Sequence, residues 1–404
     1  MSVRLAFVLI AFFLSTSCTK TSSEASANGP DAPKESAAPD AEALLLEEAA
    51  ALVGLMTDGQ VAAQVIMTGV DASGPLDKGE KERLRRVPAG AVMLFRKNLD
   101  TDALSIRRMT AELCAETGFP LGEAGLRIEP FIAVDHEGGE VHRFTAGVRR
   151  LPAPLSYFEL AGRDGRDAAL LAVESDAAGA AGELAALGIT MNLAPLAELL
   201  TDGNRSFLGT RSYGPDAGFT TAAAAALMRG MKAAGIACVL KHFPGNAGTD
   251  PHEETPVMAG GGEALRQAVT PFAVLVSAVG GPPPSAVMVS HVVVPAWDEA
   301  RSASLSETVI RQKLRGELGF GGIILADDFS MGAVSGGYGT AEASVASLAA
   351  GVDMVMAWPR NLVSVHAAIL AALSDGSLPR ARLADAASRI VREKMRRAPV
   401  SANK

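Results

Sequence analysis

Cysteine is scarce in this chain of 404 residues, which contains only Cys18, Cys114 and Cys238. Three cysteines cannot build a framework of several disulfides, and none of them belongs to a Cys-x-x-Cys pair of the kind that binds zinc. The sequence leaves open whether Cys114 and Cys238 form one disulfide. Otherwise we expect both to be buried as small apolar side chains.

Positive charge and aromatic side chains are also in short supply. The 37 basic residues are outnumbered by 45 acidic ones, which gives a formal charge of −8 and argues against a nucleic acid partner. Aromatic residues make up 5% of the chain, too few to favour long stacked polysaccharide subsites. In contrast, 48% of the residues are hydrophobic and 41 are glycine, which is typical of a globular chain with many tight loops.

The chain begins with the features of an export signal. Arg4 precedes an apolar run over residues 5–14, and the small residues 15–17 lead to Cys18. The run is too short to be a comfortable membrane span. Its end resembles a bacterial lipoprotein signal, which implies removal of residues 1–17 and lipidation of Cys18. We therefore expect an exported lipoprotein that faces the periplasm or the cell surface and whose lipid is its only membrane contact; the alternative is an ordinary cleaved signal.

Residues 18–42 are rich in Ser, Ala, Pro and Glu and lack apolar periodicity, so they are predicted to form a flexible tether. From residue 43 to about 400, short apolar runs alternate with helical patterns, as expected for parallel strands connected by helices. The predicted strands are 61–68, 90–95, 131–135, 188–194, 237–241, 285–291, 322–327 and 353–358. The predicted helices are 103–116, 168–187, 219–234, 263–279, 307–318, 341–350, 362–373 and 381–397.

Eight such units predict a single (β/α)8 barrel of the TIM type, in which the active site lies at the carboxyl ends of the strands. Ionisable residues provide a check, because they end the third, fifth, sixth and seventh runs: Asp135, Lys241 with His242, His291 and Asp327. Packing alone does not explain charged groups at the ends of buried strands. A doubly wound open sheet is the alternative, but no Gly-x-Gly-x-x-Gly turn follows the first run.

The loop after the fifth run, KHFPGNAGTDPH at 241–252, brings an aspartate and a histidine two residues apart. If the loop turns between them, Asp250 can fix the tautomer of His252 and raise its pKa toward the working pH, which suits a general acid that later acts as a base. The alternative is an exposed, solvated pair.

Together with this loop, three other segments resemble glycoside hydrolase family 3, and in particular its single-domain bacterial β-N-acetylhexosaminidases. These segments are DHEGGEVHR at 135–143, RSYG at 211–214 and ADDFSM at 326–331. The resemblance implies a two-step hydrolysis with retention, in which Asp327 is the nucleophile and His252 the acid/base, with Asp250 as its partner. Asp327 takes the first aspartate position of the motif, and Asp328 is expected to point away, toward structural hydrogen bonds.

The same resemblance implies that the sugar is bound by Asp135, Arg143, Arg211, Lys241 and His242. A carboxylate accepts hydrogen bonds from sugar hydroxyls, and the cations donate to hydroxyl or N-acetyl oxygens. The substrate is then a β-GlcNAc-containing saccharide, either a peptidoglycan fragment or a chitooligosaccharide. No cofactor is implied, and no metal is expected, because the histidines at 136 and 142 lack the His-Glu-x-x-His spacing.

Two segments depart from the family pattern. Asn246, Ala247 and Pro251 change the loop that carries the Asp250–His252 pair, and proline stiffens it. Glu198 occupies a position at which the family often has aspartate, and we expect a structural role for it.

A β-glucosidase or a β-glycoside phosphorylase of the same family is an alternative function, because a histidine acid/base does not repel phosphate. A non-catalytic saccharide-binding lipoprotein is another. A monomer is expected for a self-contained barrel.

Overall fold

The computed structural model describes residues 41–122, 125–246, 249–250, 255–258, 262–277, 283–330 and 339–397. The predicted signal and most of the tether, including Cys18, lie outside these residues, and so does His252. The predictions that concern them therefore remain predictions.

Eight parallel strands form a nearly closed barrel within the described part of the chain, which confirms the predicted (β/α)8 fold. Seven of them pair in chain order, and the eighth pairs with the first. A bridge between Leu325 and Met354 joins the seventh strand to the residues before the eighth and closes the ring. The strands are β1 Ile66–Gly69, β2 Ala91–Leu94, β3 Phe131–Val134, β4 Met191–Asn192, β5 Ala237–Phe243, β6 Ala286–Val289, β7 Ile323–Ala326 and β8 Val355–Met356.

Helices surround the barrel and follow the predicted pattern, with several that the sequence did not reveal. The helices predicted from the apolar periodicity are α4 Ala103–Thr117, α6 Arg166–Ala186, α7 Ala217–Lys232, α8 Gly262–Val276, α9 Thr308–Glu317, α10 Thr340–Ala350, α11 Leu362–Asp375 and α12 Arg380–Met395. The additional ones are α1 Ala41–Gly54, α2 Asp58–Gln64, α3 Lys78–Arg86 and α5 Pro154–Asp164. Single helical turns lie at Arg96–Leu99 and Arg205–Leu208, and 3-10 turns at Gly209–Arg211 and Ala303–Leu305. Two antiparallel hairpins, Phe119–Leu121 with Leu126–Ile128 and Val293–Val294 with Asp298–Ser302, lie outside the barrel.

The start of the first predicted strand was wrong. The segment Val61–Gln64 belongs to α2, whose first turn is capped by the hydroxyl of Thr57, and β1 begins only at Ile66. All four of these residues are buried, so their apolar run is continuous although they are helical. A short run of buried residues cannot distinguish a strand from a helix that is packed on all sides.

The local sequence explains where the long helices begin. The carboxylate of Asp102 accepts hydrogen bonds from the backbone of Leu104 and Ser105 at the start of α4, and Asp216 caps α7 through Phe219. Such caps satisfy backbone donors that have no partner inside the helix. Each helix then covers a strand that is buried along its whole length, as the four residues of β3 and of β7 show.

The two described cysteines do not pair, which answers the question that the sequence left open. Cys238 is buried as expected, whereas Cys114 is half-buried. Burial raises the pKa of the Cys114 thiol to about 11 and that of Cys238 to about 12. None of the helices in the described ranges is both long and apolar enough to cross a membrane.

Candidate active site

A cavity of about 340 Å³ opens where the barrel strands end at their carboxyl sides. Seven of the eight residues that the sequence proposed for catalysis or sugar binding line this cavity, and the eighth, His252, lies outside the described residues. The seven lie at the carboxyl end of β5 or in the segments that follow β3, β4, β5 and β7, as the barrel fold requires. They are Asp135, Arg143, Arg211, Lys241, His242, Asp250 and Asp327.

Asp327 follows β7 directly, and its carboxylate has one oxygen that is not held. The backbone of Asp328 donates to Oδ1 at 2.9 Å, whereas Oδ2 accepts no hydrogen bond from the described residues and lies 3.9 Å from Nε2 of His242. Burial favours the neutral acid, but the charges of His242 and His291 outweigh it and hold the pKa of Asp327 below its ordinary value. Asp327 is therefore an ionised carboxylate with a free oxygen in the cavity.

Asp328 also reaches the cavity, but its oxygens are engaged. Ser330 donates to it from its backbone at 2.8 Å and from its hydroxyl at 2.7 Å, and the indole Nε1 of Trp358 donates at 2.8 Å. Asp328 thus forms the hydrogen bonds that the sequence suggested, but the expectation that it points away was wrong, because it lines the cavity beside Asp327. Of the two neighbouring carboxylates, Asp327 is the one with an oxygen available for chemistry.

Asp135, which follows β3, lies between two cations. Nζ of Lys241 is 2.9 Å from Oδ1 and a terminal nitrogen of Arg143 is 3.2 Å from Oδ2. The Nε atom of Arg143 is buried and has no partner among the described residues, so it is free to donate to a ligand. This triad places one acceptor and several donors side by side, which suits the hydroxyls of a sugar.

Glu137 is a member of the cavity wall that the sequence reasoning did not select. It is 3% exposed and lies 2.6 Å from Nζ of Lys241, while Arg211 donates two parallel hydrogen bonds of 2.8 Å to its oxygens. Burial would raise the pKa of Glu137, but Lys241 and Arg211 hold it well below its ordinary value. Its position two residues after Asp135 in the same motif could have indicated a role in the site. The sequence did not show that role, because its partners lie far along the chain.

The cations are held by the same contacts. Burial opposes the charge of Lys241, but Asp135 and Glu137 raise its pKa, so the ammonium stays charged inside the wall. Burial likewise opposes the charge of Arg211, and Glu137 raises its pKa. Asp135 and Glu137 thus keep a paired, charged network at the base of the cavity, as buried charges require.

The turn after β3 explains why this motif contains two glycines. Gly138 has a φ of +103°, and a Cβ on it would lie 2.2 Å from the carbonyl oxygen of Pro152. Only glycine fits this position without a rearrangement. The turn pairs Gly138 with Val141, so the chain reverses and carries Arg143 back to the cavity beside Asp135.

His242 is held from behind by a second buried carboxylate. Oε1 of Glu198 lies 2.6 Å from Nδ1 of His242, and Glu198 is 2% exposed. The other oxygen, Oε2, accepts a hydrogen bond from the backbone of Asn246. Glu198 does not line the cavity itself.

Apolar side chains form another part of the wall. Trp358, which follows β8, meets Phe95 edge to face with ring centroids 5.1 Å apart, and Met93, Met288 and Met356 complete this side. An aromatic ring beside carboxylates and cations is a common surface for a sugar ring, which has polar edges and apolar faces.

The remaining histidines serve the framework. His136 and His142 face one another with their Nδ1 atoms 3.4 Å apart, and burial lowers the pKa of both, that of His136 to about 4. His291 contacts the hydroxyl of Ser304 and the carbonyl of Asp328, and it lies behind Asp327. Of the strand-end histidines in the described residues, only His242 lines the cavity.

The described part of the loop after β5 also reaches the site. Asp250 is half-buried and lines the cavity, on the same wall as Asn246. The proposed pairing of Asp250 with His252 stays a prediction, because His252 lies outside the described residues. No cluster of three or more metal-ligating side chains occurs among the residues that the structure describes.

The chain is similar to known glycoside hydrolases. The family model "Glycosyl hydrolase family 3 N terminal domain" matches residues 59–393. A beta-hexosaminidase from Neisseria meningitidis serogroup C is 36% identical over 285 residues, which is 70% of this chain and 74% of the relative.

Solved structures show the same similarity. Native NagZ from Neisseria gonorrhoeae is 32% identical with a TM-score of 0.67, and the match covers 81% of this chain and 89% of NagZ. The same NagZ has been solved in complex with N-trifluoroacetyl-D-glucosamine. A family 3 beta-N-acetylglucosaminidase from Paenibacillus sp. is 29% identical with a TM-score of 0.77; the match covers 86% of this chain but only 64% of that longer one.

Proposed function

The chain belongs to glycosyl hydrolase family 3 and is a glycoside hydrolase, and we propose that it is an exo-acting, retaining β-N-acetylhexosaminidase. The proposed substrate carries a terminal β-linked GlcNAc on a peptidoglycan fragment or a chitooligosaccharide. The sugar class is supported by the beta-hexosaminidase relatives and by the N-trifluoroacetyl-D-glucosamine complex of NagZ. The free carboxylate oxygen of Asp327 is the observation that carries the proposed chemistry.

In the first step, Oδ2 of Asp327 attacks the anomeric carbon as the bond to the leaving oxygen breaks, and a covalent glycosyl-enzyme forms. The low pKa of Asp327 keeps this group ionised at neutral pH. His252 protonates the leaving oxygen in this step and then takes a proton from water, which releases the sugar with retention. Asp250, on the cavity wall, would orient His252 and stabilise its charged form.

The triad of Asp135, Lys241 and Arg143 would bind hydroxyls of the non-reducing sugar. Asp135 accepts hydrogen bonds, and the unpartnered Nε of Arg143 donates one. Arg211 and His242 line the same cavity and would donate to the remaining hydroxyl or N-acetyl oxygens. The volume of about 340 Å³ suits one sugar ring more than a long chain, which supports removal of terminal residues.

The location of the enzyme is a proposal from its sequence. The apolar run at 5–14 and Cys18 support an exported lipoprotein with a lipid anchor, followed by a flexible tether over 18–42. A monomer is proposed for the barrel. Globomycin treatment of cells, which blocks lipoprotein signal processing, would leave the precursor uncut if the proposal is correct, whereas an ordinary signal would still be removed.

The activity is tested by hydrolysis of an aryl β-GlcNAc by the purified chain without residues 1–18. We expect release of the aryl group, much slower release from an aryl β-glucoside, and loss of activity in Asp327→Asn. Asp328→Asn is the matched control, because it neutralises the neighbouring carboxylate and should keep a measurable rate. Hydrolysis yields free GlcNAc with or without phosphate, whereas a phosphorylase would yield a sugar 1-phosphate. Equal rates in the wild type and Asp327→Asn would contradict the proposal.

A further inference from the structure

Glu198 contacts two separate parts of the active site although it does not line the cavity. Its Oε1 faces the ring of His242, and its Oε2 accepts the backbone N–H of Asn246. The amide nitrogen of the Asn246 side chain is 3.4 Å from Oε1 as well. An ionised carboxylate accepts hydrogen bonds but cannot donate them, so Nδ1 of His242 carries the hydrogen in this contact.

The ring of His242 connects Glu198 to Asp327. With Nδ1 turned to Glu198, the other nitrogen Nε2 is the atom that lies 3.9 Å from Oδ2 of Asp327. The contact of 2.6 Å with Glu198 therefore fixes the orientation of the ring and directs Nε2 toward the proposed nucleophile. His242 in turn helps to hold the pKa of Asp327 below its ordinary value.

The second contact of Glu198 reaches the loop that carries the proposed acid/base. Asn246 is 5% exposed, and its backbone is held on both sides, because the N–H donates to Glu198 and the carbonyl accepts from Nδ2 of Asn204. Residue 246 immediately precedes the segment that contains Asp250 and His252. Glu198 therefore fixes the point from which that segment starts.

We propose that Glu198 is a positioning residue for the reaction: it fixes His242 beside Asp327 and anchors the start of the loop bearing Asp250 and His252. This inference rests on the proposed glycosidase function. Its contribution is to hold nucleophile and acid/base in one mutual geometry, a condition that a displacement at the anomeric carbon requires. No bond to the substrate is formed by Glu198 itself.

The charged groups around the pair determine how its loss appears in a pH profile. Three cationic or titratable side chains act on Asp327: His242 of β5, His291 of the segment after β6, and the more distant Lys241. Asp328 is its neighbour in the chain. The carboxylate of Glu198 also acts on Arg211. Of these charged groups, His242 is the one that hydrogen-bonds the side chain of Glu198, so a change at residue 198 reaches Asp327 through His242.

The kinetic test compares Glu198→Gln and Glu198→Asp with wild type, using aryl β-GlcNAc hydrolysis from acidic to neutral pH. In Glu198→Gln we expect kcat to fall by about 10- to 100-fold, the range for losing the carboxylate behind a functional histidine. We also expect the acid limb of kcat/KM, which reports the free enzyme, to move to higher pH, because His242 is no longer fixed beside Asp327, whose pKa it helps to hold below the ordinary value. Glu198→Asp keeps the charge and should restore the limb. Glu174→Gln, which removes a half-exposed carboxylate paired with Arg229 on the outer helices, is the matched control and should resemble wild type.

A second measurement does not depend on activity. Residue-resolved amide hydrogen exchange should show faster exchange at Asn246 in Glu198→Gln than in wild type, with Glu174→Gln unchanged. A uniform loss of rate at all pH values, with neither a moved limb nor faster exchange at Asn246, would assign Glu198 a merely structural role and overturn the inference. If wild type releases no aryl group at all, the proposed function fails; unchanged exchange at Asn246 would then overturn the anchoring as well.

Discussion

Glu137 and Arg211 are 74 residues apart in the chain and form two parallel hydrogen bonds of 2.8 Å in the wall of the cavity. This bidentate geometry fixes the guanidinium plane as well as its position. Because the same carboxylate also lies 2.6 Å from Lys241, one buried side chain orients two of the cations proposed to bind the sugar. The cations of the site are thus oriented by a residue that the sequence did not select.

Glu137→Gln should destabilise the protein and weaken sugar binding together. The substitution leaves the buried Lys241 with Asp135 alone and removes the ion-pair partner of the half-buried Arg211, and breaking a buried ion pair on one side costs about 3–5 kcal/mol. Urea unfolding monitored by tryptophan fluorescence measures the first effect, and KM for aryl β-GlcNAc the second. The outer-surface variant Glu174→Gln should change both by little; an equal effect of the two variants would refute the assignment.

The contribution of Glu137 should depend on pH in a defined direction. Its pKa in the folded protein is depressed by Lys241 and Arg211, so its stabilising effect is fully present above the unfolded value of about 4.3 and is lost as pH falls toward the folded value. Urea unfolding of wild type and Glu137→Gln at pH values from 7 down to 3 tests this. The difference in unfolding free energy should be constant above pH 5 and shrink below it; a difference that grows on acidification would contradict the linkage.

Gly138→Ala should disrupt the turn that returns Arg143 to the site. The new Cβ would lie 2.2 Å from the carbonyl oxygen of Pro152, at a φ of +103° that L-residues avoid. We expect a lower melting temperature and a large loss of kcat/KM. The matched control is Gly235→Ala, at a φ of +73° with no atom within 4 Å of the new Cβ, which should cost only the backbone strain of about 1–2 kcal/mol.

Much of the fold could be predicted because strands buried on both faces are continuous apolar runs. β3 and β7, for example, lie within the predicted runs 131–135 and 322–327 and end one residue before Asp135 and Asp327. The helix Asp58–Gln64 was missed because its last four residues are all buried and leave no amphipathic period. The exposed α3 was missed for the opposite reason: charged residues occupy most of its sequence, and only two of its side chains are buried.

The candidate site was predictable where a residue follows a strand directly. Asp135, Lys241 and Asp327 could be selected by position in the barrel alone. Glu137 and Glu198 could not, because each is defined by a partner that the chain brings from elsewhere: Lys241 and Arg211 for the first, His242 for the second. Local sequence carries no information on such pairs until the order of the strands is known.

Trp358→Phe should separate the two contributions of this residue to the site. Phenylalanine keeps an aromatic ring against Phe95 but removes the indole N–H that donates to Asp328 at 2.8 Å. A hydrogen bond to a charged group contributes about 1.5–3 kcal/mol, so we expect a measurable loss of unfolding free energy. The carboxylate of Asp328 also loses one of its hydrogen-bond donors. KM should rise modestly in Trp358→Phe and strongly in Trp358→Ala, where the ring is gone as well. Equal KM values in the two variants would show that the ring does not contact the sugar.

Asp353→Asn should affect stability without affecting catalysis, because Asp353 lies at the opposite end of the barrel from the cavity. It precedes β8, is fully buried, and accepts hydrogen bonds from Arg315, Arg382, Arg389 and the backbone of Ile324 at the start of β7. Neutralising it removes the carboxylate that three arginines share. Burial already disfavours the charge of Arg315, whose pKa it lowers to about 10. We expect the unfolding free energy to fall by about 3–5 kcal/mol, while kcat/KM at 25 °C stays at the wild-type value for the folded fraction. If kcat/KM falls as much in Asp353→Asn as in Glu198→Gln, the amino-terminal end of this barrel contributes to catalysis and not to stability alone, and the prediction is wrong.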